Sequence, residues 1–348
     1  MKVLKPKRLK AGDTVAIVSI SWGGPATYPA LYEHGIENLS ELLGVKVVEY
    51  PTARMSAAEL SKNPRARAED INRAFADPAV DGIISSIGGY DSVRILPYID
   101  PRVIRANPKI IMGYSDTTTI LTYANLLGLI TLYGPSVMGG LAQLESLPEG
   151  HRKHLKRMLS EDATGDRLPV FERWSDGYPD WGSKATIGKV LSEQKNETGW
   201  VWVQGEGIRD GLLWGGCIEV LEFLKGSDYW PKKSFWDGRI LFFETSEDKP
   251  PVREVVYMLR NYGIQEVFHR AAGILFGRPK AYNDTEKKEL YDALKSVVGE
   301  EFGRPDLPVI ANMDFGHTDP KLVLPLGARV RIDCGTRELT LLESFTRE

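Results

Sequence analysis

Acyl transfer without a metal needs a nucleophile, a base to activate it, and a group that orients the base. Ser115 is a pointed candidate for the nucleophile. It stands in KIIMGYSDTTT (109–119), where a short apolar run ends on Gly113 and threonines lead into an apolar helix. A glycine before the serine permits a strained strand-to-helix turn that exposes the hydroxyl. The amide of Asp116 then lies at a helix start and can stabilise an oxyanion. The second glycine of a Gly-x-Ser-x-Gly elbow is missing, so a serine that merely caps the helix is the competing reading.

The base must be one of five histidines: His34, His151, His154, His269 and His317. His34 falls in an amphipathic helix, and His151 and His154 fall in the charged run EGHRKHLKR, so all three are expected to be solvated. His269 closes a helix and reads as a cap or packing residue. His317 follows the apolar run LPVIAN in the turn-rich NMDFGHTDPKLVLP, where a loop leaves a strand and catalytic groups collect. By elimination His317 is the best candidate for the base. For its orienter, DGLLWGGCIEVLEFLKG offers Glu219 just inside a helix that follows two glycines, and a helix start favours a carboxylate. Asp314 and Asp319 compete because they are near His317 in sequence, and Glu222 reads as solvated. A further glycine pair, Gly88 and Gly89 in SSIGGYDSVRILPY, follows another apolar run and lets backbone amides approach a ligand. It is not a full dinucleotide fingerprint.

These residues need a scaffold. In the first half, TVAIVSI (14–20), VKVVEY (45–50), GIISSI (82–87), KIIM (109–112) and LITLYG (129–134) are continuous apolar runs, as in strands buried on both faces. Helical patterns at Tyr28–Leu43 and 66–78 alternate with them. The pattern predicts an α/β fold: an N-terminal parallel-sheet domain of Rossmann or flavodoxin-like type over 1–160, with ligands beyond the carboxyl ends of its strands. Residues 161–206, with Trp174, Trp181, Trp200 and Trp202, predict a linker and a loop covering a site. A mixed α/β C-terminal domain is expected over 207–348, with helices at Cys217–Leu224, 252–263 and 284–298. Its strands are expected at 239–244, 273–276 and 307–312, followed by an alternating antiparallel tail. The active site is expected between the two domains.

The chain has 348 residues and a net charge of -3, which gives no electrostatic reason to expect nucleic acid or an anionic membrane as partner. Two cysteines exclude a disulfide framework or a multi-cysteine metal site. The basic-then-apolar start, MKVLKPKRLKAGDTVAIVSI, reads as a first strand rather than a signal peptide, and a cytoplasmic setting is expected.

Taken together, GYSDTT, WGGCIEVL, FGHTDP, GGYDSVRILPYID and LFFETSED resemble, in their roles, the motifs of the LD-carboxypeptidase family of serine peptidases. The likeness spans roughly 10 to 335 and looks closer to the microcin C immunity branch than to the peptidoglycan-recycling enzymes. It implies Ser115 as nucleophile, Glu219 as orienter, His317 as general base, and an oxyanion hole from amides near Gly88 and Asp116. Gly89, Tyr90, Trp181 and Glu244 are implied substrate contacts. Trp181 would stack on a nucleotide, with Trp174 and Trp200 as alternatives, and Glu244 would lie near a substrate amino group unless it forms only a strand-end salt bridge. The resemblance further implies a small peptide or aminoacyl-nucleotide substrate, a homodimer, and no metal or cofactor. A murein tetrapeptide carboxypeptidase is the alternative. A non-catalytic nucleotide- or sugar-binding protein is the alternative of another class.

Overall fold

The structure is a computed structural model, and it describes residues 3–348. Strands β1 (Thr14–Val18), β2 (Lys46–Glu49), β3 (Gly82–Ser85), β4 (Ile110–Gly113) and β5 (Thr131–Tyr133) form a parallel sheet in the order β2-β1-β3-β4-β5. β3 and β4 are buried throughout, as their unbroken apolar runs require. This is the flavodoxin-like order. Its switch point lies between β1 and β3, and a ligand crevice is expected outside their carboxyl ends. The helix Pro29–Leu43 begins with proline in its first turn and stops at Gly44, whose φ of 68° is cheap only for glycine.

Residues 161–200 cross the surface as a largely irregular excursion held by a two-strand ribbon, β6 (Arg173–Trp174) against β7 (Gln194–Lys195). The second sheet follows: β8 (Val201–Gln204), β9 (Ile208–Cys217), β10 (Arg239–Glu244), β11 (Gly273–Gly277) and β12 (Val309–Met313). Next comes β13 (Leu324–Leu326), then β14 (Arg329–Asp333) and β15 (Glu338–Leu341). The sheet order is β15-β14-β9-β10-β11-β12-β8, with a parallel centre and antiparallel edges.

Two strands cross the divisions drawn from sequence. β13 leaves the C-terminal half and pairs antiparallel with β5 of the first sheet, and β8, within the expected linker, closes an edge of the second. β9 was not expected as a strand. Its glycines hide the apolar pattern, and Gly215 is required there because a Cβ would stand 1.7 Å from the Phe242 carbonyl oxygen on β10. Among the described residues no helix is long and apolar enough to cross a membrane.

Candidate active site

Ser115 sits just past β4 with φ of 58°, a left-handed backbone that a non-glycine residue adopts only when its surroundings enforce it. Three contacts do so. Its amide donates to the Tyr133 hydroxyl at 3.1 Å, and its carbonyl accepts from Thr118 Oγ1 at 2.6 Å. Gly88, past β3, lies so close that a Cβ there would stand 2.9 Å from Ser115 Cβ and 3.0 Å from Oγ. The same position is 3.4 Å from the Asp116 amide nitrogen, so the Gly88 backbone and that amide both border the hydroxyl.

Asp116 points away from the site and knots the glycine-pair loop to the nucleophile turn. Its buried carboxylate accepts from Ser21 Oγ at 2.5 Å, from the Ser92 amide at 2.9 Å and from Ser92 Oγ at 2.8 Å. Burial raises its pKa, and those hydrogen bonds oppose the rise. Ser21 Oγ in turn accepts from the Tyr90 amide at 3.0 Å. Arg67, fully buried, pairs with Asp91 at 2.6 Å and fixes the far end of the loop.

His317 lies past β12, buried, with Nδ1 2.7 Å from Glu244 Oε2 at the carboxyl end of β10. The other Glu244 oxygen accepts from the Tyr133 hydroxyl at 2.5 Å. A chain of hydrogen bonds therefore runs from the Ser115 amide through Tyr133 and Glu244 to His317, and it joins the two sheets. Glycines make room for it. A Cβ at Gly316 would stand 2.5 Å from Glu244 Oε2, and one at Gly277 would stand 2.8 Å from Glu244 Cβ.

The carboxylate on His317 is thus Glu244, not the expected Glu219. Glu219 Oε1 accepts instead from the Ser246 amide at 2.8 Å and from Ser246 Oγ at 2.7 Å. Burial and then the neighbouring Glu244 charge raise its pKa, opposed by the Ser246 bonds. The reason is geometric: Cys217 at the end of β9 pairs with Glu244 at the end of β10, so Glu219 lies two residues further on, in the short helix Ile218–Glu222. The glycine pair before it serves close packing, since a Cβ at Gly216 would stand 2.4 Å from Thr118.

Asp314 and Asp319 are engaged elsewhere. Asp314 pairs with buried Arg278 at 2.7 Å and accepts from Trp200 Nε1 at 2.8 Å, while Asp319 pairs with Lys321 at 2.7 Å. His151 and His154 are buried rather than solvated. His151 Nε2 lies 3.0 Å from the Lys321 carbonyl, and His154 Nε2 accepts from the Val323 amide at 3.0 Å. Burial lowers both pKa values, to about 4 and about 3. They pack the loop that carries His317, which a charged sequence run did not reveal. His269 is exposed in the last turn of a short helix.

Ser115 and His317 open on one cavity of about 260 Å³, together with Gly88, Gly89, Tyr90 and Trp181. Trp181 meets Tyr28 edge-on at 5.8 Å and Tyr178 at 5.6 Å. Trp174 lies instead under Arg278, and Trp200 is held by Asp314. Six lining residues escaped the sequence reading as site residues: Trp22, Ile87, Tyr114, Tyr178, Glu247 and Lys280. Tyr133 escaped it too, although a tyrosine ending the strand beside the nucleophile strand was a usable signal. Glu247 Oε2 stands 2.8 Å from His317 Nε2, an ion-pair contact without hydrogen-bond alignment. Burial would lower the His317 pKa, but Glu244 and then Glu247 outweigh it and raise it to about 10. Among the described residues no group of His, Cys, Asp or Glu is placed to hold a metal ion.

A strained serine and a carboxylate-backed imidazole share a cavity at the strand ends of two α/β sheets, an arrangement suited to hydrolysis by acyl transfer. The chain belongs to the LD-carboxypeptidase family: residues 15–134 match its N-terminal domain and 210–332 its C-terminal domain. It is a hydrolytic enzyme of that family. Among its relatives is the microcin C7 self-immunity protein MccF of Escherichia coli, 29% identical over 97% of this chain and 95% of that protein. A murein tetrapeptide carboxypeptidase of Pseudomonas aeruginosa is 31% identical over 82% of this chain and 84% of its own. A solved structure of MccF in complex with aspartyl sulfamoyl adenosine superposes with a TM-score of 0.84 at 26% identity, covering 99% of this chain and 100% of the other.

Proposed function

We propose that the protein cleaves the acyl linkage of an aminoacyl-nucleotide of the microcin C type, with Ser115 as nucleophile, His317 as general base and Glu244 as its orienter. The observation that carries this reading is the hydrogen-bonded chain from the Ser115 turn to His317 beside a cavity walled by Trp22, Tyr90 and Trp181. His317 Nε2 takes the hydroxyl proton as Ser115 Oγ bonds to the carbonyl carbon, and the carbonyl electron pair moves to oxygen. Backbone amides near Gly88 and Asp116 stabilise that oxyanion. Collapse breaks the bond to the leaving nitrogen, which receives the proton from His317. Water then repeats the sequence and frees Ser115.

An aromatic wall suits a nucleobase, because every base has a face that stacks. The complex of MccF with aspartyl sulfamoyl adenosine supports the same class. One observation favours the alternative. Lys280 in the cavity could hold the terminal carboxylate of a murein tetrapeptide, and the P. aeruginosa relative carries that activity in its name. The homodimer implied by the resemblance and the cytoplasmic setting expected from the sequence are kept as part of the proposal, and a monomer mass by light scattering would end the first.

The test is to assay an aminoacyl-sulfamoyl adenosine beside an L,D-tetrapeptide. Cleavage of the nucleotide compound, lost by about 10⁴-fold or more in Ser115→Ala with the fold intact, is expected. Cleavage of the tetrapeptide alone would refute the substrate assignment, and near-normal turnover by Ser115→Ala would refute the nucleophile.

A further inference from the structure

A general base must present a neutral, unoccupied nitrogen to the hydroxyl. In this structure both nitrogens of His317 face carboxylates, and the two acids are held very differently. Glu244 is fully buried and bonded through both oxygens, to Tyr133 and to Nδ1. Glu247 reaches Nε2 from the loop after β10 with its side chain 45% exposed and without hydrogen-bond alignment. The backbone of that loop is pinned one residue earlier, where Ser246 is held by Glu219. The backbone is therefore anchored and the Glu247 side chain is free to swing.

We propose that Glu247 is a resident counter-ion that caps Nε2 of His317, and that substrate entering the cavity displaces it to release the base. The inference rests on the reading of Ser115 and His317 given above. With both carboxylates in place the imidazole is held as imidazolium, which cannot take a proton from Ser115. When Glu247 leaves, one of the two negative neighbours is removed and the ring can become neutral. Every element around the pair bears on that balance. β10 and its loop bring Glu244, Glu247 and Asp248, and the loop after β11 brings Lys280, whose charge helps keep Glu247 ionised. The Tyr114 ring meets His317 edge-on at 5.1 Å, and Tyr90 and Tyr178 line the same cavity. On the loop of His317 itself, Asp319 and Lys321 cancel one another as a buried pair. Lys280 is the cation in the cavity wall toward which a displaced Glu247 can turn. The cap gives the enzyme selectivity for ligands that fill the cavity, because smaller molecules leave the base charged.

The test uses a reagent that needs no knowledge of the substrate. A dialkyl fluorophosphate reacts with an activated serine: the Ser115 Oγ–P bond forms, the P–F bond breaks, fluoride leaves and the hydroxyl proton passes to His317. Adduct formation followed by intact mass across pH should show an acid limb governed by His317. In Glu247→Gln that limb should move at least about one unit to lower pH, so labelling at pH 7 accelerates about tenfold or more. An unchanged limb, or one moved upward, would overturn the proposal. No adduct in either protein would instead overturn the Ser115 reading on which it rests. The ¹⁵N shifts of the His317 ring, assigned with His317→Gln, separate the two independently. They should report a charged ring at pH 8 in the wild type and a distinctly larger neutral share in Glu247→Gln. A neutral ring in the wild type at that pH would overturn the cap.

Discussion

At the scale of the residue, the site depends on the number of charges around His317. Its pKa is raised to about 10 and that of Glu247, against partial desolvation, is lowered to about 2, chiefly by the imidazolium. The consequences for stability have opposite signs. A raised histidine stabilises the fold fully below its unfolded pKa of about 6.5, and that contribution fades as pH rises through about 10. A depressed glutamate contributes fully above about 4.5 and is lost as pH falls through about 2. The wild type should therefore exceed His317→Gln in stability most between about pH 4.5 and 6.5, with the gap narrowing toward pH 10. Urea midpoints measured across that range check it, and a gap that widens with pH would contradict the charge assignment.

At the scale of the element, strands buried on both faces announced themselves. The five runs of the first half and RILFFE, GILF and LPVIAN of the second lie where their apolar continuity put them, although β2 is a largely exposed edge rather than a strand buried on both faces. What the sequence left hidden was pairing across long separations. Nothing in ELTLLES or LPLG tells that β13 joins β5 while β14 and β15 turn back onto β9. Ser115 and His317 were legible because each follows a clear strand, whereas Trp181 came only with the family resemblance. The acid was not, because Glu244 ends β10 while Glu219 lies two residues past its register partner Cys217 on neighbouring β9, and only that register decides which reaches the imidazole. The excursion between the sheets makes its own prediction. Trp181 touches Tyr28 and Tyr178 but leaves a face on the cavity. Trp181→Ala should raise KM for an aminoacyl-nucleotide about ten- to a hundredfold with little change in kcat, and alter tetrapeptide cleavage far less. Equal losses on both substrates would assign the tryptophan to packing.

At the scale of the whole molecule, two sheets of separate topology are tied at a few buried polar points. Within the second sheet, Arg278 past β11 and Asp314 past β12, 1% and 0% exposed, form a further buried pair, and Trp200 joins it to the excursion. Removing one member of such a pair strands a buried charge, so Asp314→Ala should cost about 3–5 kcal/mol. A loss under about 1 kcal/mol in denaturant unfolding would mean the charge finds water. The sheets are tied at the site itself, where the first supplies Ser115 and Tyr133 and the second supplies Glu244 and His317. The most direct test of the account compares kcat/KM for Glu244→Gln and Glu219→Gln on the same hydrolysed substrate. Glu244→Gln should lose on the order of 10³-fold or more, because the imidazole loses its tautomer and its counter-charge, while Glu219→Gln stays within about tenfold of wild type. The reverse order would show that Glu219 backs the base after all, and the relay drawn here through Tyr133 and Glu244 would be wrong.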